Sequence, residues 1–331
     1  MSLKLIHVGV GGFGAGWTEV CRRSDEVEVV ALVDVDKKLV RETGKRLGIK
    51  KVFTDLDKAL KKVDADALLD STPPMVRPEV TGKALRAGLH VLSEKPLADT
   101  LAHAKGIVRA AAEADRVFMV SQNYRYNRAP RTIRNLLREE TVGALGYVVL
   151  NFHKGPKFAP GSFRMKMAYP LLIDMAIHHF DLMRCVLGTD AVRLRVTSWR
   201  PEWSWFDHEP AFSMLIEMAE GTHVSYNGSW VSQGFETTWN GTWRIECSKG
   251  AMLWEDDALY LSDGATGRIE AELEEMPLVS QDYSLHEFAT AIREGREPET
   301  SGADNLKSLA MVFAAVDSAK SGAEVEVGEY L

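Results

Sequence analysis

The chain has 331 residues, 45% of them hydrophobic and 26% charged, with a formal net charge of −7. That length exceeds one ordinary core and suits two domains, and the acidic balance argues against a general nucleic-acid role, which needs a basic surface for phosphates. No apolar run is long enough to span a bilayer and the first residues lack a signal-peptide pattern; three cysteines (Cys21, Cys185, Cys247) without a CxxC pair fit a reduced, cytoplasmic setting.

Residues 5–10, 28–34, 67–71, 90–93 and 117–120 read as short apolar strands. Helical patterns occupy 12–23, 37–47, 75–87 and 101–114. Strands alternating with helices imply right-handed crossovers and a doubly wound parallel sheet. After Gln122 the pattern changes. Helices are expected at 131–139, 171–187, 283–293 and 303–320, and longer strands at 144–153, 192–200, 212–218, 223–230, 239–247 and 251–254. This block reads as an α+β domain with a large antiparallel sheet. The expected division is therefore a dinucleotide-binding domain over 1–123 and a second domain over 124–331, with the junction a tight one and a cleft there the expected ligand site.

The first strand runs into Gly9-Val10-Gly11-Gly12-Phe13-Gly14, which opens a helix. In that context Gly9 allows a tight turn, Gly11 lets the backbone approach a pyrophosphate, and Gly14 lets helix and strand pack closely. The helix N-terminus turns free N–H groups and a positive dipole end towards the phosphates. Asp34 closes the second strand, 20 residues beyond Gly14. A carboxylate there accepts from the adenosine ribose hydroxyls and repels a 2′-phosphate, which favours NAD over NADP; Lys37 and Lys38 weaken that preference without reversing it. FAD uses the same fingerprint and is the lesser competitor.

Ser93-Glu94-Lys95-Pro96 and Asp174-Met175-Ala176-Ile177-His178-His179-Phe180-Asp181, taken with the glycine loop and Asp34, form a more selective combination. With Ser71-Thr72-Pro73-Pro74 and Asn123-Tyr124-Arg125-Tyr126, the chain resembles, over essentially its whole length, the glucose–fructose oxidoreductase / inositol dehydrogenase / rhizopine-catabolism (Gfo/Idh/MocA) family. The resemblance implies an N-terminal Rossmann domain and a C-terminal domain on a mostly antiparallel sheet whose open face pairs subunits into dimers or tetramers. It implies cofactor contacts from Gly9, Gly11, Gly12, Phe13, Gly14, Asp34, Ser71, Thr72, Pro73, Glu94 and Lys95. Substrate contacts are implied for Lys95, Tyr124, Arg125, Asp174 and His178, though domain packing explains Tyr124 and Arg125 equally well. Relatives often hold the Lys-Pro bond cis. Many also carry a glycine-rich run where this chain has Met167-Ala168-Tyr169-Pro170, which puts borrowed sugar specificities in doubt.

Oxidation of an alcohol needs a base for the hydroxyl proton while carbon gives hydride to the nicotinamide. Lys95 follows a strand at the carboxyl end of the parallel sheet, where ligands bind in such folds, and can stabilise developing charge on an oxygen. Asp174 and His178 lie four apart on the expected helix and so share a face. His178 is assigned as general acid/base, with Asp174 orienting it or the substrate; whether Lys95 or His178 is the principal proton carrier stays open. His179 and Asp181 read as packing residues. A metal is not expected, because adjacent histidines do not share a helix face. Seven of the eight tryptophans lie in the second half, mostly as sheet core or interface, with Trp203-Ser204-Trp205-Phe206 the best loop patch.

The expected activity is hydride transfer between NAD and a hydroxyl or carbonyl of a sugar, inositol or related polyol, with no nucleic-acid or membrane partner. The alternatives are an NAD-using glycoside hydrolase or lyase without net redox change, which would release no stoichiometric NADH, and a non-catalytic nucleotide-sensing regulator, against which the presence of Lys95 and His178 counts.

Overall fold

The computed structural model describes residues 2–159 and 161–331. The chain forms two compact units, one of Met1–Tyr126 with Leu278–Leu306, the other of Asn127–Pro277 with Lys307–Leu331.

The first unit alternates β1 (Leu3–Val8), α1 (Phe13–Arg23), β2 (Val27–Val33), α2 (Lys37–Leu47), β3 (Val52–Phe53), α3 (Leu56–Lys62), β4 (Ala67–Asp70), α4 (Arg77–Arg86), β5 (His90–Glu94), α5 (Leu101–Ala114) and β6 (Phe118–Ser121). The strands form one parallel sheet in the order β3-β2-β1-β4-β5-β6, the doubly wound order with its switch point between β1 and β4. Continuous burial of Ala67–Asp70 and Phe118–Ser121 follows from helices on both faces. Caps come from local chemistry. Asp36 accepts from Lys38 and Leu39 at the start of α2, Asp55 accepts from Lys58 at α3, and Gly48 ends α2 in a left-handed conformation (φ 74°). The short β3 and α3 were not among the expected elements; a two-residue strand carries no periodicity to read.

The second unit begins with α6 (Arg128–Arg138) and β7 (Leu145–His153), then α7 (Ala176–Leu187), β8 (Ala191–Trp199), β9 (Ala211–Met218), β10 (His223–Ser229), β11 (Thr242–Cys247), β12 (Gly250–Glu255), β13 (Ala258–Ser262) and β14 (Ile269–Glu270). Its nine-stranded sheet runs β14-β13-β12-β11-β7-β10-β9-β8-β15, the last being Val325–Glu326. Only β7 and β10 pair in parallel. Alternation sets the two faces: Phe212, Met214 and Ile216 are buried while Leu215 is 55% exposed. Trp230, Trp243 and Trp254 are core, whereas Trp199, Trp203 and Trp239 remain exposed.

α8 (Ser280–Glu294) and the start of α9 (Gly302–Ser321) return to the first unit. Sequence order had placed residues 278–306 in the domain over 124–331. The physical reason for the difference is packing: Leu285 and Phe288 of α8 share a core with Leu5, Trp17, Leu69, Leu92 and Met119. Among the described residues, no helix is long and apolar enough to cross a membrane.

Candidate active site

In the first unit, the groups expected to hold a dinucleotide gather at the carboxyl ends of β1, β2, β4 and β5. Gly9 has φ +85°, and a Cβ there would lie 3.1 Å from the Ser71 backbone. At Gly14 a Cβ would lie 1.8 Å from the Gly9 carbonyl oxygen, which no side chain tolerates. Gly12 (φ +51°) opens α1 with no side-chain cap, no acidic residue follows in the first turn, and a Cβ at Gly12 would meet nothing within 4 Å. Phe13 beside it is 65% exposed. A helix N-terminus with its N–H groups uncapped by side chains and open space above suits an anion.

Asp34 holds this loop as well as facing it. Its Oδ2 accepts from the Val10 N–H (2.9 Å) and its Oδ1 from the Asp36 N–H (2.9 Å). Ser71 buttresses the other side. Its hydroxyl donates to the Gly9 carbonyl (2.6 Å) and lies 2.8 Å from His7 Nε2. With the hydroxyl proton committed to Gly9, His7 donates from Nε2. Its buried Nδ1, which has no partner, is then an acceptor, less costly to strand than a buried N–H. Burial lowers the His7 pKa to about 3, so the ring is neutral. Thr72 is fixed by Asp70, which accepts from its N–H (3.0 Å) and its hydroxyl (2.5 Å). The neighbouring Pro73 carbonyl accepts from Val76 (2.9 Å), closing the turn into α4.

Glu94, Lys95 and Pro96 leave β5 with the Lys95–Pro96 bond cis. The indole of Trp17 donates to Glu94 Oε1 (2.7 Å), and Glu94 Oε2 accepts from the Lys95 N–H (3.1 Å). Glu94 thus fixes the backbone of the lysine. Arg77, 2% exposed, donates to the carbonyls of both Pro96 and Thr72. Burial lowers the pKa of its guanidinium, opposed by the nearby charges of Asp70 and Glu94. Neither Trp17 nor Arg77 was singled out from sequence. Arg77 bonds backbone carbonyls, so no side-chain pattern marks it; its place just after Ser71–Thr72–Pro73–Pro74 is the one signal available.

Arg125 lies in a short 3-10 turn, Asn123–Tyr126, and donates to the Glu299 carbonyl (3.1 Å) and to Asp304 (3.1 Å). It is 5% exposed and ties residues 299–304 to the first unit, as a packing residue would. Tyr124 precedes it, half-buried.

In the second unit, the expected helix over 171–187 is two structures. Leu171–Met175 is a π-turn, where the Ala176 N–H bonds the Leu171 carbonyl five residues back, and α7 follows. Asp174 therefore lies in the π-turn and His178 in the α-helix, rather than both on one uniform helix. π-turns concentrate at functional sites. Tyr169, just ahead, has φ +48°, a left-handed conformation that bulky residues rarely adopt. Arg164 Nε donates to Asp174 Oδ2 at 2.5 Å, with both side chains mostly covered (22% and 15% exposed). Its guanidinium also lies over the rings of Phe163 and Phe158 (4.7 and 5.4 Å). Arg164 was not expected; it sits in a one-turn 3-10 helix, Phe163–Lys166, with no motif around it.

His178 is 6% exposed. His179 is fully buried and held at both nitrogens: Nε2 lies 3.0 Å from the Trp239 carbonyl and Nδ1 2.5 Å from the Tyr226 hydroxyl. A carbonyl can only accept, so Nε2 carries the proton and Nδ1 accepts from Tyr226. Burial lowers its pKa to about 4. Both of its nitrogens are engaged within the protein, so His179 packs rather than ligates. Asp181 accepts from Ser308 (3.4 Å).

Two family models cover most of the chain: an oxidoreductase family with an NAD-binding Rossmann fold matches residues 3–122, and the C-terminal domain of the same family matches 131–253. The chain belongs to the Gfo/Idh/MocA oxidoreductase family. It carries that family's NAD-binding Rossmann domain, and the glycine cradle, the uncapped α1 and Asp34 fit that cofactor. The chain is 26% identical to a D-apiose dehydrogenase from Paraburkholderia graminis, covering 97% of the chain and 88% of the relative. It is 27% identical to a 1,5-anhydro-D-fructose reductase from Ensifer adhaerens, covering 97% and 98%. An oxidoreductase from Agrobacterium radiobacter, solved in complex with NAD+, L-tartaric acid and magnesium, shares the fold with a TM-score of 0.90 at 23% identity, over 100% of both chains.

Proposed function

We propose that the chain transfers hydride between NAD and a hydroxyl or carbonyl group of a sugar, inositol or related polyol. The observation that carries this reading is Lys95, placed at the carboxyl end of β5 by backbone bonds on either side, in a family whose relatives are named as dehydrogenases and reductases of such compounds. Bound nicotinamide supplies the hydride acceptor or donor at C4. Lys95 stabilises negative charge developing on the reacting oxygen. His178 takes up or returns the hydroxyl proton. Asp174, kept in place by Arg164, orients the substrate. NAD is preferred to NADP because Asp34, held at the end of β2 with a carboxylate oxygen on each of two backbone N–H groups, would accept from the ribose hydroxyls of a bound dinucleotide and would repel a 2′-phosphate.

The test is kinetic, on a panel of sugars and inositols with NAD. Lys95→Met and His178→Asn are each expected to lower kcat by about 10²–10⁴-fold while NADH affinity, read by fluorescence titration, changes little. Wild-type turnover in either variant removes that residue from the mechanism, and tighter binding of NADPH than NADH overturns the Asp34 assignment.

The outer face of the large sheet is the proposed subunit contact in a dimer or tetramer. Leu215 and Tyr147 stand out from it (55% and 50% exposed) among Arg193, Arg195 and Glu217, a mixture of apolar and charged groups that suits an interface. Leu215→Glu is expected to shift the mass in solution to monomer by light scattering. The three cysteines carry no disulfide, in keeping with a reducing, cytoplasmic setting.

A further inference from the structure

Arg77 is a nearly inaccessible cation that the charges of Asp70 and Glu94 favour only from a distance, without a direct ion pair. Its two Nη groups donate to backbone carbonyls, Thr72 (2.5 Å) and Pro96, and its Nε has no partner. Among the described residues, no acidic group comes within ion-pair distance of it. Burying a guanidinium in this way is costly, and a methionine or leucine would fill comparable volume without the charge. What an apolar side chain cannot do is bond two carbonyls from two different loops. A lysine offers one compact ammonium in place of a rigid fork and does not span both.

The two loops are the ones that matter. Thr72 belongs to residues 71–74, beside the glycine turn through Ser71 and Gly9. Pro96 immediately follows Lys95. On the other flank, Trp17 of α1 holds Glu94, and Glu94 holds the Lys95 N–H. Lys95 is thus gripped from both sides, by a side chain of the helix that follows the glycine turn and by one of the helix that follows residues 71–74.

We propose that Arg77 is a positioning residue for Lys95, coupling the loop that follows β4 to the loop that carries the lysine. This rests on the reading of Lys95 as the residue that works on the reacting oxygen. Arg77 is nearly inaccessible and spends its donors on backbone carbonyls, so it acts by fixing where the lysine backbone leaves the sheet. A displacement of about 1 Å at a reacting group can cost on the order of 100-fold in rate, so loosening one anchor is enough to be measured.

The experiment compares wild type, Arg77→Lys, the milder Arg77→Gln, Lys95→Met and the Arg77→Lys/Lys95→Met double variant. Hydrogen–deuterium exchange of the protein without added cofactor is expected to quicken at residues 94–98 in both Arg77 variants. kcat with the panel's best sugar or inositol is expected to fall about tenfold or more in Arg77→Lys, with NADH affinity within about threefold of wild type. In the Lys95→Met background the Arg77 substitution should cost less than about twofold, because a residue acting through Lys95 has nothing left to position. A loss that multiplies in full on the Lys95→Met background, or unchanged exchange at 94–98, overturns the proposal. Full activity of Lys95→Met instead overturns the reading of the lysine, a distinct result, and exchange still reports on the tie. Should Arg77→Lys not fold, Arg77→Gln, which keeps an N–H donor, carries the same comparison.

Discussion

Gly14 and Tyr169 stand at corresponding points of two different solutions to holding polar groups in place. At Gly14 a single added carbon would sit 1.8 Å from the Gly9 oxygen, so the side chain must be absent. At Tyr169 the backbone adopts φ +48°, where a glycine would be more comfortable, and yet a phenol is present. The glycine turn makes room for a ligand by removing atoms. The segment ahead of Asp174 keeps a bulky residue against the local backbone preference, and continues into a π-turn rather than a regular helix. Strain of this sort clusters at sites where geometry serves function. The first region belongs to the family's NAD-binding domain, and the second departs from regular backbone geometry at Tyr169 and over Leu171–Met175.

The largest expected effect is on the glycine side. Gly14→Ala cannot be accommodated without moving the turn or α1, and overpacking of this kind costs about 1–3 kcal/mol, occasionally more. NADH affinity should fall by about 100-fold or beyond, since roughly 3 kcal/mol of lost contact corresponds to that ratio. Fluorescence titration measures it. Near-normal binding would mean that the turn can relax, and the contrast with Tyr169 would lose its physical basis.

A second effect of a few kcal/mol is expected from pH, and it separates buried packing groups from the rest. His179 has its pKa lowered to about 4 by burial, against about 6.5 in the unfolded chain. Between those values the unfolded chain binds a proton that the folded chain refuses, so stability rises with pH there. The contribution is fully present above about pH 6.5 and is lost as the pH falls towards about 4. His7, with its pKa lowered to about 3, behaves alike over a longer range. Urea midpoints at about pH 7 and pH 5 should differ less in His179→Gln than in wild type. An identical pH slope in the variant would show that His179 is not a source of acid sensitivity.

How far these regions could be read from sequence follows the same division. The glycine turn, Asp34 and the alternation of β1–β6 with their helices are legible because each is a local pattern: a turn that needs glycine, a strand buried on both faces, a helix with its caps. The position of residues 278–306 is not, since Leu285 and Phe288 look the same whichever core they join. Nor is the π-turn, because apolar spacing over 171–187 fits a uniform helix equally well. Arg164 and Arg77 escaped for related reasons. One pairs with a carboxylate ten residues away, from a 3-10 turn to a π-turn, and the other bonds only backbone carbonyls, which every residue has.

The Arg164–Asp174 pair sharpens the comparison at intermediate size. It is a short, charge-assisted bond with both side chains mostly covered, so it should exceed an exposed pair, whose value is about 0.2–1 kcal/mol. A double-mutant cycle with Arg164→Met and Asp174→Asn is expected to give a coupling of about 1–2 kcal/mol. Coupling below about 0.3 kcal/mol would mark it as a solvated pair, and the fixed position of Asp174 would then need another cause.

The smallest effect is expected at Tyr169 itself, and its smallness is the informative part. A non-glycine residue in the left-handed region costs about 1 kcal/mol or somewhat more, so Tyr169→Gly relieves that strain. It also gives the unfolded chain more freedom, which opposes the gain by about 0.5–1 kcal/mol. The two terms nearly cancel, and Tyr169→Gly should lie within about 1 kcal/mol of wild type by urea unfolding. Tyr169→Ala keeps the backbone cost, loses the ring, and should be less stable than the glycine variant by about 1 kcal/mol. If the glycine variant instead lost more than about 3 kcal/mol, ring packing would be what holds this segment, and retention of the tyrosine would be explained by stability alone. If stability is kept while kcat/KM across the sugar and inositol panel changes rank, the phenol is retained for the substrate, and the strained segment is where this chain sets its selectivity.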